Sequence, residues 1–256
     1  MPATIVESTI ESACRDFKEN GYLLIRGFFS SRQTKGMLEN VQRYIREVVP
    51  TLDETVVFHA DKDKPETLFR TEALDQHDDW FDRLNHDDRI TTLAKRLLDD
   101  ELYYQRVAFF GKLPNGGEAT PPHQDGYYFR LTPNEAMTVW LPLDPVDQEN
   151  GCIRYVPGSH LNGLREHNIG KTYGFSLGID DYGPADEEAE VAIEANPGDL
   201  ILHHSLTIHR ADSNNSNRQR RALGLVYFAA RAQPDDEAAQ AHEATIRKQW
   251  KKDGCQ

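Results

Sequence analysis

The sequence predicts a mainly β fold with flanking helices, and three observations carry that reading. The middle and later parts of the chain break into short apolar runs at 102–110, 136–143, 151–156, 190–194, 199–204 and 221–230, separated by Gly, Pro, Asn and Asp. That is the spacing of a β-sandwich or barrel. Upstream, three stretches repeat apolar residues at helical rather than strand intervals. The length, 256 residues, suits one large β domain with a sizeable core. We therefore expect a single domain over 1–256, with a mostly helical buttress over 1–100 and a β core over 101–230.

Taken in order, Ile10, Cys14 and Phe17 recur at helical spacing over 8–20 and stop at Asn20-Gly21, as at a C-cap. YLLIRGFF reads as a strand. Met37, Leu38, Val41, Tyr44, Ile45 and Val48 mark an amphipathic helix that ends before Pro50. Residues 51–69 are mixed and give no clear element. Over 77–99, Trp80, Phe81, Leu84, Ile90, Leu93 and Leu97 gather on one side of a second helical region. The strands follow. Residues 163–188, rich in Gly, Asp and Tyr, read as a long insertion loop, and a loop of that length is commonly functional or mobile. The polar stretch 235–250 reads as a C-terminal helix.

Composition excludes several classes. Lys and Arg number 29 against 42 Asp and Glu, a formal net charge of −13, which argues against nucleic acid because that partner demands basic side chains. Cys14, Cys152 and Cys255 form no C-x-x-C, so neither a zinc knuckle nor a disulfide framework is indicated, and a reducing compartment fits. The start MPATIVESTIESACRDF lacks the pattern of a secretory leader, and no apolar run approaches the roughly 20 residues that span a bilayer. We expect a cytoplasmic protein with no membrane partner. Its oligomeric state is left open.

His123-Gln124-Asp125 is the most informative motif. Two imidazoles and a carboxylate hold a mononuclear non-haem Fe(II) on one face and leave the opposite positions open. A strand, or the end of one, points residues i and i+2 to the same side, so His123 and Asp125 can bind one ion while Gln124 turns away. A second imidazole must come from far along the chain. His203, His204 and His209 compete for it, and in ILHHSL the first two alternate faces, so one of them points inward. An H-x-D alone is common, and its plain reading is an Asx-type turn. Arginines gather at 218, 220 and 221. In a strand from 220, Arg220 shares a face with Ala222, Gly224 and Val226, while the other arginines read as ordinary solvated charge.

The surroundings of these residues sharpen the reading. HQDGYYFRLTPNEAMTVWLPLDPVDQENGCIRYVPGSH, the later NPGDLILHHSLTIHRADSNNSNRQRRALGLVYF with its H-x10-R ending, and the opening FKENGYLLIRGFFS together resemble the phytanoyl-CoA dioxygenase family of Fe(II)/2-oxoglutarate oxygenases. The resemblance covers most of 15–230. It implies a double-stranded β-helix, the jelly-roll or cupin-like barrel. It also implies His123, Asp125 and His209 as the catalytic metal ligands for Fe(II), and 2-oxoglutarate as co-substrate, with Arg220 on its far carboxylate and Trp140 and Lys112 beside it. O2 is consumed, succinate and CO2 are released, and a C–H bond of a small molecule is hydroxylated. Halogenating relatives have a small residue in place of the carboxylate that Asp125 keeps. Ala211 departs from relatives with a hydroxyl there, a role open to Ser213.

Tyr127, Tyr128, Phe129 and Arg130, with Tyr173, Phe175 and Tyr182 of the insertion, are candidates for the entrance. Aromatics beside one cation suit a small substrate with an apolar body and an anionic group, and they suit plain barrel packing equally. His160, in VPGSH, reads as structural or substrate-contacting. His59, His77, His86, His167 and His242 have no ligand partner at metal spacing. Two rival classes use the same residues: a cupin-like zinc hydrolase or isomerase, and a ligand-binding barrel with a vestigial site.

Overall fold

The computed structural model describes residues 7–169 and 177–235, with residues 237, 244, 245 and 248. Helix α1 (Glu7–Asn20) stops where Gly21 takes φ +78° and donates its N–H to the Phe17 carbonyl at 2.8 Å. A Cβ on Gly21 would lie 2.4 Å from His160 Nδ1, so the left-handed turn and the close approach both require glycine. Strand β1 (Tyr22–Ile25) precedes α2 (Ser31–Glu47), which begins ahead of its apolar stripe because Ser30 and Gln33 form a capping box. The mixed region supplies β2 (Val57–His59) and β3 (Leu68–Thr71).

The second helical region is three helices: α3 (Leu74–His77), α4 (Asp79–Asn85) and α5 (Asp88–Leu98). Asp78 and Asp87 split the region, each accepting a backbone N–H at the start of the next helix, from Trp80 and Arg89 at 3.0 Å. Then come β4 (Leu102–Lys112), β5 (Thr120–His123), α6 (Asp125–Phe129), β6 (Leu131–Thr132), β7 (Ala136–Pro142) and β8 (Ile153–Tyr155). They are followed by β9 (His167–Ile169), β10 (Leu177–Ile179), α7 (Pro184–Ala189), β11 (Val191–Ile193), β12 (Leu200–His204), β13 (His209–Ala211), β14 (Arg220–Ala229) and β15 (Gln233–Pro234).

Two antiparallel sheets face each other as a jelly roll. The larger runs β1-β12-β7-β14-β4-β3-β2 and the smaller β11-β8-β13-β5. Period-two alternation divides the large sheet between two cores. Leu223, Leu225 and Tyr227 of β14 and Val139 and Leu141 of β7 pack outward with Met37, Val41, Phe81 and Ile90 of the helices. Ala222, Trp140 and Ile201 point the other way, into a cluster with Ile153, Tyr155 and Ile193 of the small sheet. With both faces covered, every residue of β7 is buried, which is why AMTVWLP reads as a nearly unbroken apolar run.

Three expectations need correction. The first hundred residues also supply β1, β2 and β3 to the large sheet. The 163–188 insertion is not one loop: it carries the β9–β10 hairpin and α7. Strands β5 and β13, anticipated only through the ligand spacing, are absent from the apolar runs because Thr-Pro-Pro-His and His-Arg-Ala carry no apolar alternation; β5 tolerates its prolines as an edge strand. The expected 235–250 helix falls almost wholly outside the described residues, as do Tyr173 and Phe175.

Leu223 is fully buried between β14 and the helices, whereas Leu161 is 68% exposed. Leu223→Ala is expected to lower unfolding free energy by about 2–5 kcal/mol in urea titration, and Leu161→Ala by less than about 0.5 kcal/mol.

Candidate active site

Strand pairing brings the two ligand histidines together. β13 lies between β8 and β5, and its His209 stands opposite His123 on one side and Tyr155 on the other. The His123 and His209 rings are 4.1 Å apart between centroids. Of the two placements expected, the end of a strand is the one found: β5 ends at His123, and Asp125 opens α6. Extended backbone at Gln124 (φ −122°, ψ 126°) is enough to keep both neighbours on one side. One ligand atom each from His123, Asp125 and His209 lies within 4.8 Å of the others. Both His123 Nε2 and His209 Nε2 face Asp125 Oδ1, at 3.6 and 3.8 Å.

Each of the three is braced from behind. His123 Nδ1 lies 2.8 Å from the Pro121 carbonyl oxygen and His209 Nδ1 3.0 Å from that of Thr207. A carbonyl only accepts, so the protons sit on Nδ1 and both Nε2 atoms present lone pairs. Asp125 Oδ2 accepts from Thr138 Oγ1 at 2.5 Å and from His203 Nε2 at 3.0 Å, leaving Oδ1 to the front. Tyr155 in turn donates its hydroxyl to His203 Nδ1 at 2.8 Å. Burial opposes charge on Asp125, but the imidazoles of His123 and His203 outweigh it and hold the carboxyl well below the usual range. Burial, reinforced by His123 and His203, pushes His209 far down, so its imidazole is neutral. Two lone-pair nitrogens and one ionised oxygen on a single face fit Fe(II) with open positions opposite.

The other candidates are placed as follows. His203 backs the carboxylate, while His204 points away to Glu135 at 3.4 Å. His160 is structural, donating to the Lys18 carbonyl beside Gly21. Arg220 opens β14 opposite Lys112 on β4 and is 4% exposed, its guanidinium 5.3 Å from the Trp140 ring centroid. Among the described residues it makes no ion pair, and its Nε has no hydrogen-bond partner. Burial pushes it down to about 10. Lys112, also buried, donates to the Glu118 carbonyl, and burial together with the charge of Arg220 depresses it strongly. A desolvated guanidinium without a carboxylate, beside a buried amine, makes a site that fits an anion. Arg218 and Arg221, by contrast, are engaged by Asp147 and Asp144.

Sequence reasoning missed Gln124 and His167. Gln124 is fully buried. Its Nε2 donates to the Gly163 and Leu206 carbonyls at 2.8 and 2.7 Å, its Oε1 accepts from Arg165 N–H at 2.8 Å, and its own N–H donates to His167 Nε2 at 2.9 Å. The residue between the two ligands therefore clasps the start of the insertion and the turn leading to His209. The only signal was a glutamine facing away from the metal where solvent exposure was the default.

Burial pushes His167 down to about 4 from 6.5. A histidine whose folded value is depressed favours folding above its unfolded pKa, and that advantage fades as pH falls through 6.5 toward 4. Between pH 7.5 and pH 4.5 the wild type is expected to lose about 2–3 kcal/mol of unfolding free energy through this group, a loss absent from His167→Gln in parallel urea titrations.

Comparison with known proteins agrees with this architecture. The family model for phytanoyl-CoA dioxygenase (PhyH) matches residues 17–222. The chain is 27% identical over 226 residues to a probable alpha-ketoglutarate-dependent hypophosphite dioxygenase of Stutzerimonas stutzeri, spanning 86% of this chain and 79% of that protein. It is 24% identical over 262 residues to phytanoyl-CoA dioxygenase domain-containing protein 1 of Mus musculus, spanning 86% and 90%. It shares its fold with the epimerase SnoN, solved in complex with Fe3+, alpha ketoglutarate and nogalamycin RO, at a TM-score of 0.72 and 22% identity over 90% of this chain and 87% of that one. With a match running from the middle of α1 into β14, the chain belongs to the phytanoyl-CoA dioxygenase family.

Proposed function

We propose that His123, Asp125 and His209 hold Fe(II) in this chain, an Fe(II)- and 2-oxoglutarate-dependent dioxygenase, and that it hydroxylates an unactivated C–H bond of a small organic metabolite with release of succinate and CO2. The observation that carries the reading is the convergence of two Nε2 lone pairs and one carboxylate oxygen, each supported from behind by a hydrogen bond. When bound, iron with 2-oxoglutarate and O2 supplies the oxidising power. The chain's own residues do the positioning. Asp125 stays ionised through His203 and Thr138, and His209 stays neutral. Arg220 would receive the distant carboxylate of 2-oxoglutarate on its planar fork, with the Trp140 ring beside it and Lys112 as a second N–H donor.

The same donor set would accept zinc in a hydrolase. A buried arginine with no acid partner has no purpose there, whereas a dicarboxylate co-substrate explains it. The helices and both sheets support one domain over the whole chain. Among the described residues no helix is long and apolar enough to cross a membrane. We place the enzyme in the cytoplasm, acting on a small molecule, with a net charge of −13 opposing a nucleic-acid partner.

Anaerobic titration of metal-free protein with Fe(II) and 2-oxoglutarate should produce the weak visible band of a chelated 2-oxo acid; iron binding without that band would overturn the co-substrate. His209→Ala should reduce succinate formation to background. His203→Ala should weaken Fe(II) affinity by about 10–100-fold, as expected of a ligand's hydrogen-bond partner, and His204→Ala should leave it unchanged. Activity retained in His209→Ala but lost in His204→Ala would mean the distal ligand is misassigned. Arg220→Gln should keep the iron and lose 2-oxoglutarate affinity by at least tenfold.

A further inference from the structure

The four residues at positions 127–130 are not equivalent. Phe129 turns into the outer core against Phe228, at 5.1 Å between rings. Tyr128 stands edge-on to the metal-facing His123 at 5.9 Å. Tyr127 stacks on His167 at 4.3 Å and 25° between planes, and the Arg130 guanidinium lies 4.4 Å from the other ring centroid of that pair, the Tyr127 ring. Since His167 accepts the N–H of Gln124, the Tyr127–His167 stack is tied to the segment that carries His123 and Asp125, and a cation lies over its tyrosine ring.

Arg130, like Arg220, differs from most of the arginines around the site. Arg154, Arg165, Arg210, Arg218 and Arg221 each engage a carboxylate, as expected where 42 acidic residues face 29 basic ones. Arg130 forms no ion pair among the described residues, and its buried Nε has no hydrogen-bond partner. Its backbone is left-handed (φ 51°, ψ 49°), a conformation that costs a non-glycine residue on the order of 1 kcal/mol. Surrounding bonds hold it there. Gly126 N–H donates to the Ser205 carbonyl at 2.8 Å, Asn134 Nδ2 donates to the Gly126 carbonyl at 2.8 Å, and the Arg130 carbonyl accepts from Asp235 N–H at 3.0 Å.

We infer that Arg130, held over Tyr127, receives an anionic group of the primary substrate, so that this dioxygenase acts on carboxylates or phosphorus oxyanions rather than on neutral metabolites. This rests on the Fe(II)/2-oxoglutarate reading above. Stacking leaves the edge of a guanidinium free, and that edge carries the paired N–H groups that match a carboxylate or phosphonate. With the rest of the stack tied to Gln124, the anion would be fixed relative to His123 and Asp125, which is what orienting a C–H bond requires.

The test uses protein loaded anaerobically with Fe(II) and 2-oxoglutarate. Acetate, benzoate, methylphosphonate and phenylphosphonate are titrated against acetamide and benzamide, read both by calorimetry and by perturbation of the 2-oxo acid band. At least one anion should bind ten or more times tighter than its neutral counterpart. Carboxylate and phosphonate members tell the two anion sources apart. Arg130→Gln should abolish the preference and Arg130→Lys should restore part of it, with 2-oxoglutarate affinity changed less than twofold in both. Tyr127→Leu should weaken the anion several-fold. A wild type indifferent to charge, or Arg130→Gln retaining the preference, overturns the proposal. Failure of the parent reading looks different: no band forms with any variant, while calorimetry still reports on Arg130.

Discussion

The antiparallel register that sets His209 opposite His123 is the constraint from which the rest of the site follows. Side chains alternate along a strand, so a slip of one residue between β13 and β5 would turn one imidazole out of the barrel. Neither strand could hold that register alone, being three and four residues long. β13 is fixed from its other edge by β8, where Tyr155 pairs with His209, and Tyr155 then braces His203. One row across three strands thus sets two ligand rings and, through His203, the third ligand. The rings are locked locally as well, since each Nδ1 donates to a carbonyl two residues earlier in its own chain.

Along β7 the same alternation lays out two subsites of opposite character. Thr138 and Trp140 share the inward face, roughly 7 Å apart at strand spacing. Thr138 holds the carboxylate of a cation site. Trp140 lies under Arg220 in an anion site. A chain with formal charge −13 has many acids available, yet none is paired with Arg220 among the described residues. Desolvating the Arg220 guanidinium without an acid partner destabilises the empty protein, and the arrangement makes sense when a dicarboxylate completes it. This is why the positive pair is as informative about the co-substrate as the His2Asp set is about the metal.

Placement, as distinct from role, was legible in the sequence where it rests on residue type and alternation. His123, Asp125, Arg220 and the outward and inward faces of β14 are of that kind, and so is the stop at Gly21. What stayed hidden depends on long-range bonding. The strands that carry both ligand histidines look like loops, because prolines and polar residues are tolerated where pairing to β8 supplies the order. Gln124 was assigned only a direction, and its four long-range hydrogen bonds reach residues up to 82 positions away. His167, without a metal partner in sequence, is support for the ligand segment rather than a bystander. Phe129 was grouped with its neighbours at the entrance, and only packing against Phe228 removes it.

The end of β5 at His123 separates two functions that a longer strand would have merged. Continuing the strand through Asp125 would still have pointed the carboxylate inward, but Tyr127 would then have followed it along the same face, into the space needed for the metal's open positions. Turning into a helical step at Asp125 instead sends Tyr127 and Arg130 to one side, Tyr128 toward His123 and Phe129 into the core. The two candidate ligand histidines sit on laddered strands, where register fixes them, and Asp125 follows directly on the end of one. The aromatic and cationic groups sit on a turn bonded to the insertion through Gln124 and His167, where substitutions leave the ladder intact. A fold arranged this way can change what it oxidises without disturbing the groups that hold the metal.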